Sequence, residues 1–244
     1  MSVRSRALNY FSAYPSKGKE ATVGISSNAQ LAVFNARAHN NTSGTNTVGI
    51  CRKLAPGGYK VFQFATSGSV FTEVTAAVDA GTATNIFSGT NNDGFYIQSK
   101  RQIGLIGMTI STGQTGGTFT YKYYNGTTFA VLTTIEVPAY TTTGDIYIVA
   151  RSPIDAAKGG NAALDSSMYS LQVISTTAPA GAVAITKVWV AEFMDLQVAL
   201  PANAGLQLSF PTDDPFILQS GETIFPYFGT ANAANDIGCY YVTV

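Results

Sequence analysis

Turn signals recur about every eight to twelve residues along this chain, and the runs between them are short and rich in β-branched and aromatic residues. Ala55-Pro56-Gly57-Gly58, Asn91-Asn92-Asp93-Gly94, Asn125-Gly126 and Gln219-Ser220-Gly221-Glu222 are the clearest of these turns. No stretch carries a long amphipathic helical pattern. Even Val70 to Asp79, where Phe71, Val74 and Val78 fall on one helical face, is too β-branched for more than one or two turns. Helix-wound α/β folds and helix bundles are therefore excluded, and an all-β sandwich or jelly roll is predicted.

With 244 residues the chain can bury a full core without disulfide or metal support. Only 11% of its residues are charged and the formal net charge is zero. Thr, Ser, Asn and Gly take the surface positions, a composition suited to life inside an assembly. Neither nucleic acid nor a charged membrane is an expected partner, since both attract basic surfaces. The opening MSVRSRALNYFSAYP lacks the apolar core of a signal peptide, so synthesis and first residence in the cytosol are expected. The two cysteines, Cys51 and Cys239, fall on predicted strands and read as free buried thiols.

The two ends of the chain are expected to pair. Gln30 to Arg37 and Thr47 to Lys53 flank a polar loop at Asn40 to Asn46. Phe216–Leu218, Thr223–Phe228 and Ile237–Val244 supply closing strands around a loop at 229–235. In Leu31 to Ala36, Leu31, Val33 and Asn35 alternate with Ala32, Phe34 and Ala36. Glu20 to Ser26 reads as a further strand. Between Gln102 and Ala150 the texture changes, with Lys122, Glu136 and Asp145 the only charges. The prediction is one sandwich made of residues 20–98 and 196–244, with a second sandwich, 101–192, inserted into it. Proteolytic cuts are expected near 99–101 and 193–204.

Residues 1–19 form an expected N-terminal arm. Arg4, Arg6, Lys17 and Lys19 stand there with no acid before Glu20, and Tyr10, Phe11 and Tyr14 add apolar surface. These seven residues are the candidate interaction site: cations for an acidic surface and rings for apolar pockets, on another subunit or a larger particle. The alternative is a frayed terminus.

Catalysis finds little to build on. His39 is the only histidine, and beside Asn40 and Asn41 it reads as a strand end bonding its own loop. Asp213-Asp214 and Asn91 to Gly94 carry oxygen ligands but read as turns before calcium sites. Glu136, Glu192 and Glu222 show no sign of facing as an acid/base pair. The aromatic set Tyr121, Tyr123, Tyr124, Phe129, Tyr140, Tyr147 and Trp189 is either a sugar-stacking platform or, more ordinarily, core and cross-strand pairs. No catalytic, cofactor or metal residues are assigned, and the expectation is a non-enzymatic protein.

Four segments taken together resemble a known group. LAVFNARAHNNTSGTNTVGI and DPFILQSGETIFPYFGTANAANDIGCYYV resemble the jelly-roll domains of tailed-bacteriophage virion proteins, where a Leu-x-x-Gly-Glu turn precedes the closing strands. TFTYKYYNGTTFAVLTT resembles the Asn-Gly hairpin of phage head and tail modules, where Trp often stands at the position of Tyr124. NNDGFYIQSKRQIGLIGMTIS fits the same setting. The resemblance implies a virion structural protein of the head decoration or cement type, made in the host cytoplasm and carried on the particle. Its implied partners are itself, as a homo-oligomer such as a trimer, and the major capsid protein or other virion proteins. The alternative is a receptor- or carbohydrate-binding module of a phage tail or fibre, with the loops at 40–46 and 229–235 as its recognition face.

Overall fold

The computed structural model describes residues 9–14, 30–65, 70–211, 214, 216–230 and 232–243, with 9–14, Leu31 and 232–243 described through their backbone. In chain order the elements are β1 (Asn9–Tyr14), β2 (Leu31–His39), β3 (Asn46–Lys53), β4 (Tyr59–Ala65), β5 (Val70–Glu73), α1 (Thr75–Asp79), β6 (Thr84–Phe87), β7 (Gly94–Ser99) and β8 (Leu105–Thr112). They continue with β9 (Gly116–Tyr124), β10 (Phe129–Val131), β11 (Thr134–Glu136), β12 (Gly144–Ala150), β13 (Tyr169–Pro179), β14 (Val183–Leu200), β15 (Gly205–Ser209), β16 (Phe216–Leu218), β17 (Thr223–Phe228) and β18 (Asn232–Thr243). The protein is all-β, and α1 is the single turn that the Val70–Asp79 pattern allowed. Glu20 to Ser26 lies outside the described residues.

The chain divides into two compact units: Met1–Ala55 with Phe193–Val244, and Pro56–Glu192 between them. This corrects the expected boundary at residues 98–101. β7 is hydrogen-bonded between β4 and β13, so residues 56–98 belong with the middle of the chain. The turn at Ala55-Pro56-Gly57-Gly58 is where the chain passes between units. The second boundary falls inside β14, an unbroken strand of 18 residues, so no turn residue marks it. Cleavage is therefore expected at the Pro201–Ala204 turn and not at 193–200.

In the first unit β18 is the central strand, hydrogen-bonded to β1 on one side and β2 on the other, with β15 and β16 sharing the far edge of β2. β18 begins at Asn232, so the loop expected over 229–235 is shorter than its polar composition suggested. The simple alternation expected in β2 also breaks. Tyr240 pairs with Asn35 and Tyr241 with Val33, leaving Phe34 as an extra residue. This bulge brings Val33, Ala36 and Ala38 onto one face. There they pack with Val48 and Ile50 of β3, Leu206, Leu218, and Ile224 and Phe228 of β17. Pro226 sits mid-strand in β17, which is tolerable because β17 is an edge with β3 as its one neighbour. Cys51 is a free, buried thiol on the face of β3 opposite to Val48 and Ile50.

The second unit has its own core. Its six-stranded sheet runs β10-β9-β13-β7-β4-β5, and β11, β12, β8 and the first part of β14 form the facing layer, with β6 on β14. Between them Phe87 of β6 meets Phe95, Phe119 and Tyr140 at ring-centroid distances of 5.6, 4.6 and 5.2 Å. The same six-stranded sheet is apolar on its other face. Phe62, Phe64 and Tyr96 are buried there beneath Leu164 from the β12–β13 connection, with Phe71, Phe129 and Ile174 packed alongside.

Candidate functional site

The proposed arm residues separate into two groups. Tyr10, Phe11 and Tyr14 lie on β1, opposite Gly238, Ile237 and Asn232 of β18. Arg4, Arg6, Lys17 and Lys19 lie outside the described residues. The expectation of a segment ordered only by another surface is corrected for 9–14, which forms a ladder with β18 of the same chain along one edge.

The most organised polar region is the loop end of the first unit. Asn40 is fully buried, and its Nδ2 donates to the carbonyls of Gly44 (3.0 Å), Leu200 (3.0 Å) and Pro201 (2.9 Å). Its Oδ1 accepts from the Thr42 hydroxyl at 2.7 Å and the Thr42 amide at 3.2 Å. Its backbone exchanges hydrogen bonds with Ala204 and Asn203. One side chain thus ties the 40–45 loop to the 200–204 turn. Asn46 does the same for the other loop: its Nδ2 donates to the Thr230 carbonyl at 3.0 Å and its Oδ1 accepts from the Thr230 amide at 2.8 Å. The two loops named in sequence as a recognition face are therefore fastened to one another. Sequence reasoning picked out the loops and missed Asn46, which joins them, and Asn40, which ties the first to the 200–204 turn.

His39 closes β2 at this end, its Nδ1 bonded to Asn41 Oδ1, as expected of a strand-end histidine. Beside it an open depression of about 340 Å³ is lined by Arg37, Ala38, His39, Asn41, Gly205, Leu206 and Gln207. The lining mixes a guanidinium, an imidazole and two amides with short apolar side chains, which suits a polar, hydrogen-bonding occupant.

The other oxygen-rich stretches are turn fasteners. The buried Asp93 carboxylate accepts from the backbone and hydroxyl of Ser88, the Thr90 hydroxyl, and the Ser175 hydroxyl at 2.8 Å. Glu222 Oε2 accepts from the Gln219 amide at 2.9 Å, closing the turn whose Gly221 adopts φ 80°. Asp214 donates its amide to the Pro211 carbonyl, and Asp213 lies outside the described residues. Among the described residues no three His, Cys, Asp or Glu side chains cluster as metal ligands.

The aromatic set is dispersed through the second unit. Tyr140 and Tyr121 are buried and share a hydroxyl contact of 3.4 Å. Burial pushes the Tyr121 phenol up to about 12 and the Tyr140 phenol well above its usual range. Trp189 is also buried. It lies over Gly107, with Tyr147 edge-on at 6.0 Å. Tyr123 donates to Asp155 and Tyr124 to the Gly126 carbonyl. Tyr124 and Phe129 extend the row containing Tyr96, where burial raises the phenol to about 12 although Gln172 donates to its oxygen. Phe62, Phe64 and Phe71 complete that row. Phe62 and Phe64 were legible as a strand pattern, whereas Phe71 was read on a helical face and lies on β5; nothing in either pattern said that both faces of the sheet would be covered.

Comparison of the chain with models of known families, with characterised proteins and with solved structures finds no match.

Proposed function

We propose that this protein is a non-enzymatic structural component of a virus particle, of the kind that decorates or cements a phage capsid through contacts between β-sandwich units, with further copies of itself and the capsid protein as partners. The observation that carries this reading is the self-satisfied loop end of the first unit. Asn40 and Asn46 occupy the polar groups of their loops internally, which leaves a preorganised, weakly charged surface of the kind that docks by shape. The low charge and the resemblance to jelly-roll virion proteins support the same reading. Cosedimentation with empty phage heads tests it: saturable binding is expected, and failure to bind heads at any salt concentration removes the reading.

The 340 Å³ depression favours a second reading, a receptor- or carbohydrate-binding module. Trp189 and Tyr140, both buried, do not serve it, so the sugar contacts move to Asn41 and Gln207. Specific glycan binding lost on Asn41→Ala and Gln207→Ala, without head binding, would establish this alternative.

A further inference from the structure

We propose that the depression beside His39 takes a carboxylate-bearing sugar, a uronic or sialic acid, in preference to a neutral one. The proposal rests on the reading of that depression as a saccharide site and names the class of saccharide.

Strands β2 and β15 lay out the site. Ala36 and Ala38 face the core of the first unit, so Asn35, Arg37 and His39 stand on the opposite face of the sheet. Along the β15 ladder Ser209 pairs with Asn35, Gln207 with Arg37 and Gly205 with His39. Gly205 carries no side chain where the other two rungs carry a polar one, and the depression opens there. An added Cβ at Gly205 would meet His39 Cδ2 at 3.4 Å, an ordinary contact, so the opening can be filled by substitution. Its volume of about 340 Å³ is at the small end of ligand sites, which suits a terminal sugar.

The polarity of the lining selects the occupant. His39 Nδ1 donates to Asn41 Oδ1, an atom that can only accept, so the neutral ring presents Nε2 as an acceptor. Gln207 Nε2 donates to Ser209 Oγ at 3.2 Å, and the same oxygen accepts from Asn35 Nδ2 at 3.0 Å. Gln207 therefore presents its Oε1 as a second acceptor. These two acceptors call for hydroxyl donors, and the Arg37 guanidinium calls for a planar anion. A peptide carboxylate supplies the anion without the hydroxyls, and a neutral hexose supplies the hydroxyls without the anion. An acidic sugar supplies both. Among the described residues no Asp or Glu lines the depression. The acid that the register sets beside His39 is Asp236 of β18, and β18 flanks β2 on the side away from β15.

A glycan array carrying uronic-acid and sialic-acid glycans, each beside its methyl ester, tests the class on the full-length protein at pH 7. The ester keeps every hydroxyl of the sugar and removes the charge. The acids are expected to bind roughly tenfold tighter than their esters, the usual worth of a hydrogen bond to a charged group. Arg37→Gln should bring that ratio close to one while leaving ester binding unchanged. Gly205→Leu fills the depression and should remove both signals. Should that variant fail to fold by circular dichroism, Gln207→Ala replaces it and should weaken acid and ester alike. Equal binding of acid and ester by the wild type overturns the acidic class and leaves the saccharide reading standing. A ratio that survives Arg37→Gln, or binding untouched by the β15 variants, overturns the proposal. Binding of no glycan at all removes the saccharide reading and this inference with it.

Discussion

Asn40 shows how one side chain can set the geometry of a loop end. Its amide reaches three carbonyls from two segments far apart in sequence, and no hydroxyl or aliphatic residue offers that combination. Asn40→Ala strands those buried groups and should cost about 2–4 kcal/mol in urea unfolding. Asn40→Asp should cost more at pH 7, because a carboxylate would face carbonyl oxygens, and part of the loss should return at pH 4 as the acid protonates. Gly107 plays the corresponding part in the second unit. An added Cβ would lie 2.1 Å from Trp189 Cε2, and Tyr147 packs edge-on against the ring. Gly107→Ala should destabilise by about 1–3 kcal/mol. Trp189 is the single tryptophan, so its emission spectrum reports the displacement directly. An unshifted spectrum with unchanged stability would contradict this packing.

At the scale of elements, the six-stranded sheet holds its tyrosines in two places, Tyr121 towards the inner layer and Tyr96 beneath Leu164. Both phenols are pushed to about 12 by burial, and Tyr147 reaches about 12 through burial and the charges of Asp145 and Glu136. An unfolded tyrosine loses its proton near pH 10. The folded protein thus binds more protons than the unfolded chain between about pH 10 and 12. The stability these groups contribute is complete below pH 10 and is lost as pH rises through 12. Melting temperature should fall steeply over that window, with the part of the tyrosinate absorbance near 295 nm that Tyr96→Phe, Tyr121→Phe and Tyr147→Phe remove delayed until the protein unfolds. Early appearance of that part without unfolding would show these three rings to be open to solvent.

For the whole molecule, the passage between units at Ala55 and Pro56 changes which fragment is a folding unit. Residues 101–192 lack β4, β5, β6 and β7, and with them Phe87 and Phe95 of the aromatic core. Residues 56–192 retain all of these. Expressed alone, 56–192 should unfold cooperatively with Trp189 emission in the folded range, and 101–192 should remain unfolded by circular dichroism. Folding of the shorter fragment would restore the boundary read from composition.

Local chemistry was enough to read the all-β class, most of the strands and the turns. Strand alternation, Asn-Gly and Asp-Gly pairs and the Gly221 turn depend on backbone sterics and on residues close in sequence. The closing strands at 216–228 were legible for the same reason, and their pairing with β2 and β3 matches the expected closure of the two chain ends. Tertiary structure alone decided the rest. The Phe34 bulge, the passage of β14 through a unit boundary, and the covered second face of the six-stranded sheet each depend on which strand lies alongside, and a pattern of period two is silent on that. The joined loop end was hidden most completely. Asn40 and Asn46 look like any loop asparagines in sequence, and their role exists only because residues 160 and 184 positions away supply the partners.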